Sequence, residues 1–216
     1  MRCIVTAGPS WEPLDQVRRL TNHSTGRLGV ELAAHLTTAG HRVTLLLAEQ
    51  ATWAGPRQAA EIVPFSSSSN LNARLQALAS SGADAVLHAA AIGDFRFGKV
   101  WLRCADGSLV EQKKGKFSSR AGMLLAELLP TPKIIICLRD WFPKARLVGW
   151  KFEVEGDRDS ALTAAAAQLN ESRTDACIAN GPAYGDGFGF VTAGAVVKHV
   201  AARKSLYDLL EEWLRR

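Results

Sequence analysis

VTAGPSWEPLDQVRRLTNHSTGRLG, Val5 to Gly29, decides the reading of this 216-residue chain. A short apolar strand runs into a turn at Gly8 and Pro9, passes through a long polar excursion, and reaches a second turn, Ser24-Thr25-Gly26, that opens a helix. Peptide N–H groups at such a strand-to-helix turn have no partner inside the helix and sit at the positive end of its dipole, so they attract phosphate oxygens. Gly8, Gly26 and Gly29 let backbone and ligand approach closely.

Outward from this unit the chain keeps alternating between strand and helix patterns. Cys3 to Thr6 reads as a first buried strand, and Leu28, Val30, Leu32, Ala33 and Leu36 form the apolar stripe of a helix that ends near Gly40. Arg42 to Ala48 is a continuous apolar run, as expected of a parallel strand covered on both faces. Glu61 to Pro64 gives a short third strand, Asn70 caps a helix carrying Leu71, Leu75 and Leu78, and Ala85 to His88 is the next strand. Between Asp94 and Ser119 the periodicity fails: Gly98, Gly107 and Gly115 interrupt a basic stretch, which reads as a mobile loop or flap over residues 95–120. Regularity returns with Met123 to Leu128, a helical turn at Lys133 to Trp141, a strand at Arg146 to Trp150, an Ala-rich helix at Asp157 to Gln168 and a strand at Ala176 to Ala179. Phe190 to Thr192 and Ala195 to His199 can pair as a hairpin, and Ser205 to Arg216 forms an amphipathic helix with Leu206, Leu209, Leu210 and Trp213 inward. The expected fold is α/β: one three-layer domain over 1–216, with a doubly wound, Rossmann-like, mostly parallel sheet and a small antiparallel C-terminal hairpin.

Composition narrows the partner. The net charge of +5 would suit nucleic acid, but the 26 lysines and arginines are scattered among 21 acids without an aromatic-basic recognition run, so an anionic small molecule is expected instead. Cys3, Cys104, Cys137 and Cys177 lie far apart without metal-ligand spacing and read as reduced core thiols of a cytoplasmic protein. No signal peptide or membrane-length apolar run is seen.

A dinucleotide-dependent reductase would share this architecture. Its GxGxxG fingerprint is absent, because Gly8 is followed by Pro9, Ser10, Trp11 and Glu12 and the next glycine is Gly26. Glu49 stands where a ribose-binding acid would sit, yet neither Tyr184 nor Tyr207 precedes a lysine at Tyr-x-x-x-Lys spacing, which disfavours hydride transfer. Three further elements stand at strand ends, where open α/β sheets gather ligands. HAAAIGDF, His88 to Phe95, lets a flat ligand lie against small residues beside Asp94, or is small only for core packing. KKGKFSS, Lys113 to Ser119, is a cationic patch, or a solvated face. GWKFE, Gly149 to Glu153, with IAN, Ile178 to Asn180, delivers an aromatic and an amide that can stack on a base and read its edge, or packs Trp150 into the core.

Taken together and in order, these motifs, with PTPKII, DWFPKARLVGWKFE and GFGF, resemble phosphopantothenoylcysteine synthetase, the phosphopantothenate–cysteine ligase of coenzyme A biosynthesis, over nearly the whole chain. The resemblance implies a stand-alone ligase without FMN, since nothing like the flavin decarboxylase often fused to this family precedes it. It implies ATP or CTP as co-substrate with Mg2+, 4′-phosphopantothenate and L-cysteine as substrates, an acyl-nucleotidylate intermediate, and a homodimer with no nucleic-acid or membrane partner. The family's acyl-handling asparagine falls on Asn22 and its catalytic lysine on Lys116. Gly8, Ser10, Ser24, Thr25 and Gly26 match its phosphate turns; Ala90, Ala91 and Asp94 match its nucleotide wall, with Asp94 a ribose or Mg2+ contact, the Mg2+ being held mainly through the triphosphate. Trp150 and Asn180 match its base-recognition residues, and Arg18 matches a basic residue facing the substrate phosphate or a partner subunit. Departures occur at Gly93, Arg27 and Gly181, and Trp150-Lys151-Phe152-Glu153 leans toward ATP. A non-catalytic nucleotide-sensing module is the remaining alternative.

Overall fold

A computed structural model describes residues 1–113, 115–118, 120 and 122–216. Six parallel strands carry the molecule: β1 (Arg2–Ala7), β4 (Arg42–Ala48), β5 (Glu61–Phe65), β6 (Ala85–His88), β10 (Arg146–Phe152) and β11 (Ala176–Asn180). β12 (Phe188–Thr192) and β13 (Val196–Val200) extend them as an antiparallel hairpin, giving the order β13-β12-β11-β10-β6-β1-β4-β5. The expected doubly wound sheet and C-terminal hairpin are both present. Strand order reverses between β1 and β6, so a crevice opens at their carboxyl ends.

Helices cover both faces. α1 (Arg27–Thr38) and α5 (Arg203–Arg215) lie on one face, against Val5, Leu45, Leu87, Val148 and Ile178. α2 (Ser68–Ala77), α3 (Ile134–Trp141) and α4 (Arg158–Glu171) cover the other, against Ile4, Leu46, Val86, Leu147 and Cys177. Leu32, Leu36, Leu45 and Leu87 are fully buried, each worth about 2 kcal/mol of transfer free energy. That double covering explains the unbroken apolar run of β4, whose side chains face helices on both sides. The inward stripe of α5 is Leu206, Tyr207, Leu210 and Leu214; Leu209 and Trp213 are only half-buried.

Three sequence expectations change. The polar excursion after Gly8 contains a hairpin, β2 (Trp11–Pro13) paired with β3 (Arg19–Thr21). The segment expected as an aperiodic loop is largely an antiparallel ribbon, with β7 (Phe95–Arg103) between β8 (Leu109–Gln112) and β9 (Met123–Pro130). A register shift between Phe97 and Val100 resets the two-residue alternation around Gly98, which hides the strand from a periodicity reading. Lys114 and Ser119, part of the cationic KKGKFSS run, lie outside the described residues. The cap of α2 is Ser67, whose hydroxyl accepts the Asn70 N–H, while the Asn70 side chain turns back to the N–H of Ser66. A serine one turn earlier thus takes the capping role.

Candidate active site

The crevice at the strand reversal is built from backbone. Gly8 and Gly26 have φ of +87° and +79°, and a Cβ on Gly8 would come within 2.8 Å of the Ala48 methyl, so neither turn admits a side chain. They lie against each other: a Cβ on Gly26 would be 3.2 Å from the Gly8 Cα. Gly26 is the N-cap of α1, which has no side-chain cap and no acid in its first turn; the Ser24 and Thr25 hydroxyls accept from the Gly26 and Arg27 N–H groups. Val30 is the first helical residue whose N–H bonds back to Gly26. The first turn therefore presents its dipole end to the crevice. Arg27 turns away, ion-paired with Glu31 and lying 4.3 Å over Trp53.

The opposite wall is tied to this turn bond by bond. Pro9 bridges Ala91, Ser10 N–H donates to Ala91, and Ala91 N–H donates to Gly8. The Ser10 hydroxyl, fully buried, accepts the Gly93 N–H at 2.9 Å, so it frames the wall rather than facing a ligand. Thr131 donates to the Gly93 carbonyl at 2.6 Å, and Asn22 Nδ2 donates to the Ile92 carbonyl at 3.1 Å. One hydrogen of that amide is engaged and the second is left for a ligand. Asn22, Ala91 and the two glycine turns are thus brought together. Glu12 belongs to the frame as well: its buried carboxylate accepts the N–H and hydroxyl of Ser68, holding β2 on the start of α2.

Lys116 and Arg18 stand elsewhere. The 14–18 turn joins β2 to β3, and there Asp15 accepts from Arg18 Nε at 3.0 Å, from the N–H groups of Val17 and Arg18, and from Phe117 N–H at 3.2 Å. Arg18 donates to the Phe117 carbonyl at 2.7 Å, and Gln16 N–H to Gly115 at 2.9 Å. These bonds clip the 115–117 segment onto the hairpin tip, and the Asp15 carboxyl is held well below the usual carboxylate range, first by the Arg18 guanidinium. An open cavity of about 490 Å3 there is lined by Arg18, Lys116 and Arg120. Asn22 is four residues along the chain from Arg18, roughly 13 Å of extended strand, and it does not line the cavity that holds Lys116.

The base-recognition pair is also divided. Trp150 packs its ring with the cluster on the α1 face, and its indole N–H is buried without a partner. Asn180 lines a separate open cavity of about 680 Å3 with Gly181, Asp186 and Arg203. Trp150 also lines a smaller cavity of about 150 Å3 at the ends of β6 and β10, together with Ala90, Asp94, His88, Lys133 and Gln168. Asp94 pairs there with Lys133 at 3.0 Å. Sequence reasoning assigned no role to His88, Lys133, Thr131 or Arg120, although the first three lie inside the HAAAIGDF and PTPKII motifs. Among the described residues no cluster of three acids, histidines or cysteines could hold a metal, no helix is long and apolar enough to cross a membrane, and all four cysteines are free. Burial pushes the Cys3 thiol up to about 11 and the Cys177 thiol up to about 12, so both stay protonated.

Residues 1–209 match the family described as the DNA/pantothenate metabolism flavoprotein C-terminal domain. The chain is 30% identical over 180 residues to the coenzyme A biosynthesis bifunctional protein CoaBC of Thermococcus kodakarensis, covering 83% of this chain and 41% of that protein. It spans less than half the length of the curated relatives it matches first. Among solved structures, the DNA/pantothenate metabolism flavoprotein from Streptococcus pneumoniae superposes with a TM-score of 0.86 at 26% identity, over 100% of this chain and 98% of that one. A Cab2 mutant in complex with phosphopantothenate-cysteine superposes with a TM-score of 0.71 over 99% of this chain and 87% of that one; at 16% identity this likeness concerns the fold alone.

Proposed function

Because the chain belongs to the DNA/pantothenate metabolism flavoprotein C-terminal domain family, we propose that it is the ligase domain that joins L-cysteine to 4′-phosphopantothenate, in the cytoplasm, through an acyl-nucleotidylate with release of nucleoside monophosphate and pyrophosphate. The observation that carries this reading is the bare first turn of α1, set behind two glycine turns and facing Asn22 across the strand reversal. A carboxylate is a poor acyl donor, and its oxygen must be joined to a phosphate before an amine displaces it. The α1 turn suits the phosphates, and the second amide hydrogen of Asn22 suits the acyl oxygen as charge builds there. ATP or CTP is the co-substrate on this reading. Asp94 is the one carboxylate on the nucleotide wall, and it is paired with Lys133, so a Mg2+ fits here mainly through triphosphate oxygens, adding charge neutralisation at the phosphates.

The hairpin tip supports a homodimer. Arg18, Lys116 and Arg120 form a cationic group around an open cavity, and Leu109, Val110, Met123, Leu125 and Leu128 of the neighbouring ribbon are exposed. A second copy seated on that ribbon would cover the apolar side chains and bring the cations to a phosphate bound in its crevice. Pyrophosphate release with 4′-phosphopantothenate, L-cysteine, Mg2+ and either ATP or CTP tests the activity: turnover that needs all the organic substrates is expected, and nucleotide binding without turnover would leave only a sensing module.

A further inference from the structure

Of the cations on the hairpin, on α1 and on the crevice wall, Arg18, Arg27 and Lys133 are already paired with an acid: Arg18 with Asp15, Arg27 with Glu31 and Lys133 with Asp94. Arg19, the first residue of β3, is exposed and has no carboxylate partner among the described residues. What holds it is uncharged. Its guanidinium lies 5.1 Å over the ring of Trp11, on the partner strand of the hairpin. With the Gln50 amide turned oxygen-first, Arg19 Nη1 and Nη2 both donate to Gln50 Oε1, at 3.1 and 3.2 Å. A carboxylate in place of Gln50 would cancel the charge, whereas an aromatic face and an amide fix the guanidinium fork and leave its charge whole. A side chain confined in this way has lost part of its freedom before any ligand arrives.

Both holders belong to the walls of the crevice. Trp11 follows Ser10, and Thr21, two residues along β3 from Arg19 and on the same face of the hairpin, donates its hydroxyl to the Ser10 carbonyl at 2.8 Å. Gln50 precedes Ala51, whose methyl is 3.0 Å from the Cβ that either Gly8 or Gly26 would carry, and the Trp53 N–H donates to the Thr25 carbonyl. The 51–53 segment thus packs against both glycine turns and the start of α1, and Arg19 is pinned at the head of that segment. The first turn of α1 offers directed N–H donors but only partial charge. A terminal phosphate carries close to two negative charges at neutral pH, and a whole cation beside the turn answers that charge.

Resting on the ligase reading above, we infer that Arg19 is a further phosphate-binding residue of this site, positioned by Trp11 and Gln50, whose guanidinium meets the terminal phosphate of a bound substrate: the outer phosphates of the nucleoside triphosphate or the phosphate of 4′-phosphopantothenate.

Calorimetric titration of the full chain with ATP or CTP, each with Mg2+, and with 4′-phosphopantothenate tests this in the wild type, Arg19→Met and Arg19→Lys. Arg19→Met keeps an apolar stem over Trp11. It should weaken either the bound triphosphate or 4′-phosphopantothenate about tenfold, the worth of one charge-assisted contact, and leave the other unchanged; the ligand that weakens identifies the phosphate. Arg19→Lys, which keeps the charge without the fork, should recover part of the loss. The loss should also shrink as salt is raised, because the contact is made at an exposed charge. Undiminished affinities in Arg19→Met would overturn the inference. So would a loss shared equally by triphosphate and 4′-phosphopantothenate, or one that salt does not change, since either would mean that Arg19 only fastens the hairpin to the 50–53 segment. A wild type that binds none of these phosphorylated ligands would sink the ligase reading as well, whereas wild-type binding that Arg19→Met leaves intact removes this inference alone.

Discussion

The switch-point crevice and the hairpin tip hold their functional groups by opposite means. In the crevice, Gly8, Ser10, Asn22, Ala91 and Gly93 are cross-linked largely through backbone groups, backed by the buried strands β1 and β6. At the tip, the 115–117 segment is clipped down chiefly through one carboxylate, Asp15, and a turn exposed to solvent. The first arrangement is set by the fold and is pre-organised; the second is set by charge, through a carboxylate that its partners cover. An enzyme that must hold a labile acyl-phosphate away from water needs both, a fixed cradle and a movable cation.

The largest effect should come from the movable part. If Lys116 has the proposed role at the departing phosphates, Lys116→Ala should lower pyrophosphate release by roughly 10^3-fold, about 4 kcal/mol in the barrier. Stopped-flow detection of pyrophosphate checks it; a variant that releases pyrophosphate normally but is slow in coupling would move Lys116 to the second step. The next effect separates the two regions by pH. His88, buried at the end of β6, has a folded pKa of about 4 against a usual 6.5, so the unfolded chain binds the proton first, and stability is complete above about 6.5 and falls by roughly 3 kcal/mol as the pH drops to about 4. Urea midpoints from pH 7.5 to 4 should therefore fall more steeply for the wild type than for His88→Leu. Parallel slopes would mean that the ring is not buried in its neutral form.

Asn22→Ala should act later and somewhat less, cutting amide formation about 100-fold while pyrophosphate is still released, as loss of one oxyanion donor does. Quenched single-turnover reactions that accumulate the activated acyl species would show it. Loss of both steps together would mean that Asn22 mainly holds the Ile92 wall through its present bond.

How much of this could be read in the sequence follows the same division. The parallel strands were legible because burial on both faces leaves unbroken apolar runs, as in β4, and the two tight turns because positive φ selects Gly8 and Gly26. The ribbon was not, since its bulge near Gly98 breaks the alternation that marks a strand. Asp15 and Glu12 gave no signal: their partners, Phe117 and Ser68, are 102 and 56 residues away in the chain. His88 was quoted within its motif but passed over, because its burial as a neutral ring depends on Thr6 and on Gly149, neighbours it gains only when three strands align.

The smallest predicted effect tests whether the tip is really held by charge. Asp15→Asn keeps the shape of the side chain and removes the charge that binds Arg18 and the Phe117 N–H. The clip should loosen, the 115–117 amides should exchange faster with deuterium, and KM for 4′-phosphopantothenate should change several-fold with the stability of the whole chain nearly untouched. The pH dependence sharpens the contrast. Because the Asp15 pKa is depressed, its contribution is present above the ordinary carboxylate value near 3.8 and is lost only as the pH falls through the much lower folded value. Amide protection at 115–117 should then stay level between pH 7 and 5, across the interval where His88 begins to weaken the core. If protection falls there in step with the urea midpoint, the tip is anchored by the core and the two regions are not independent.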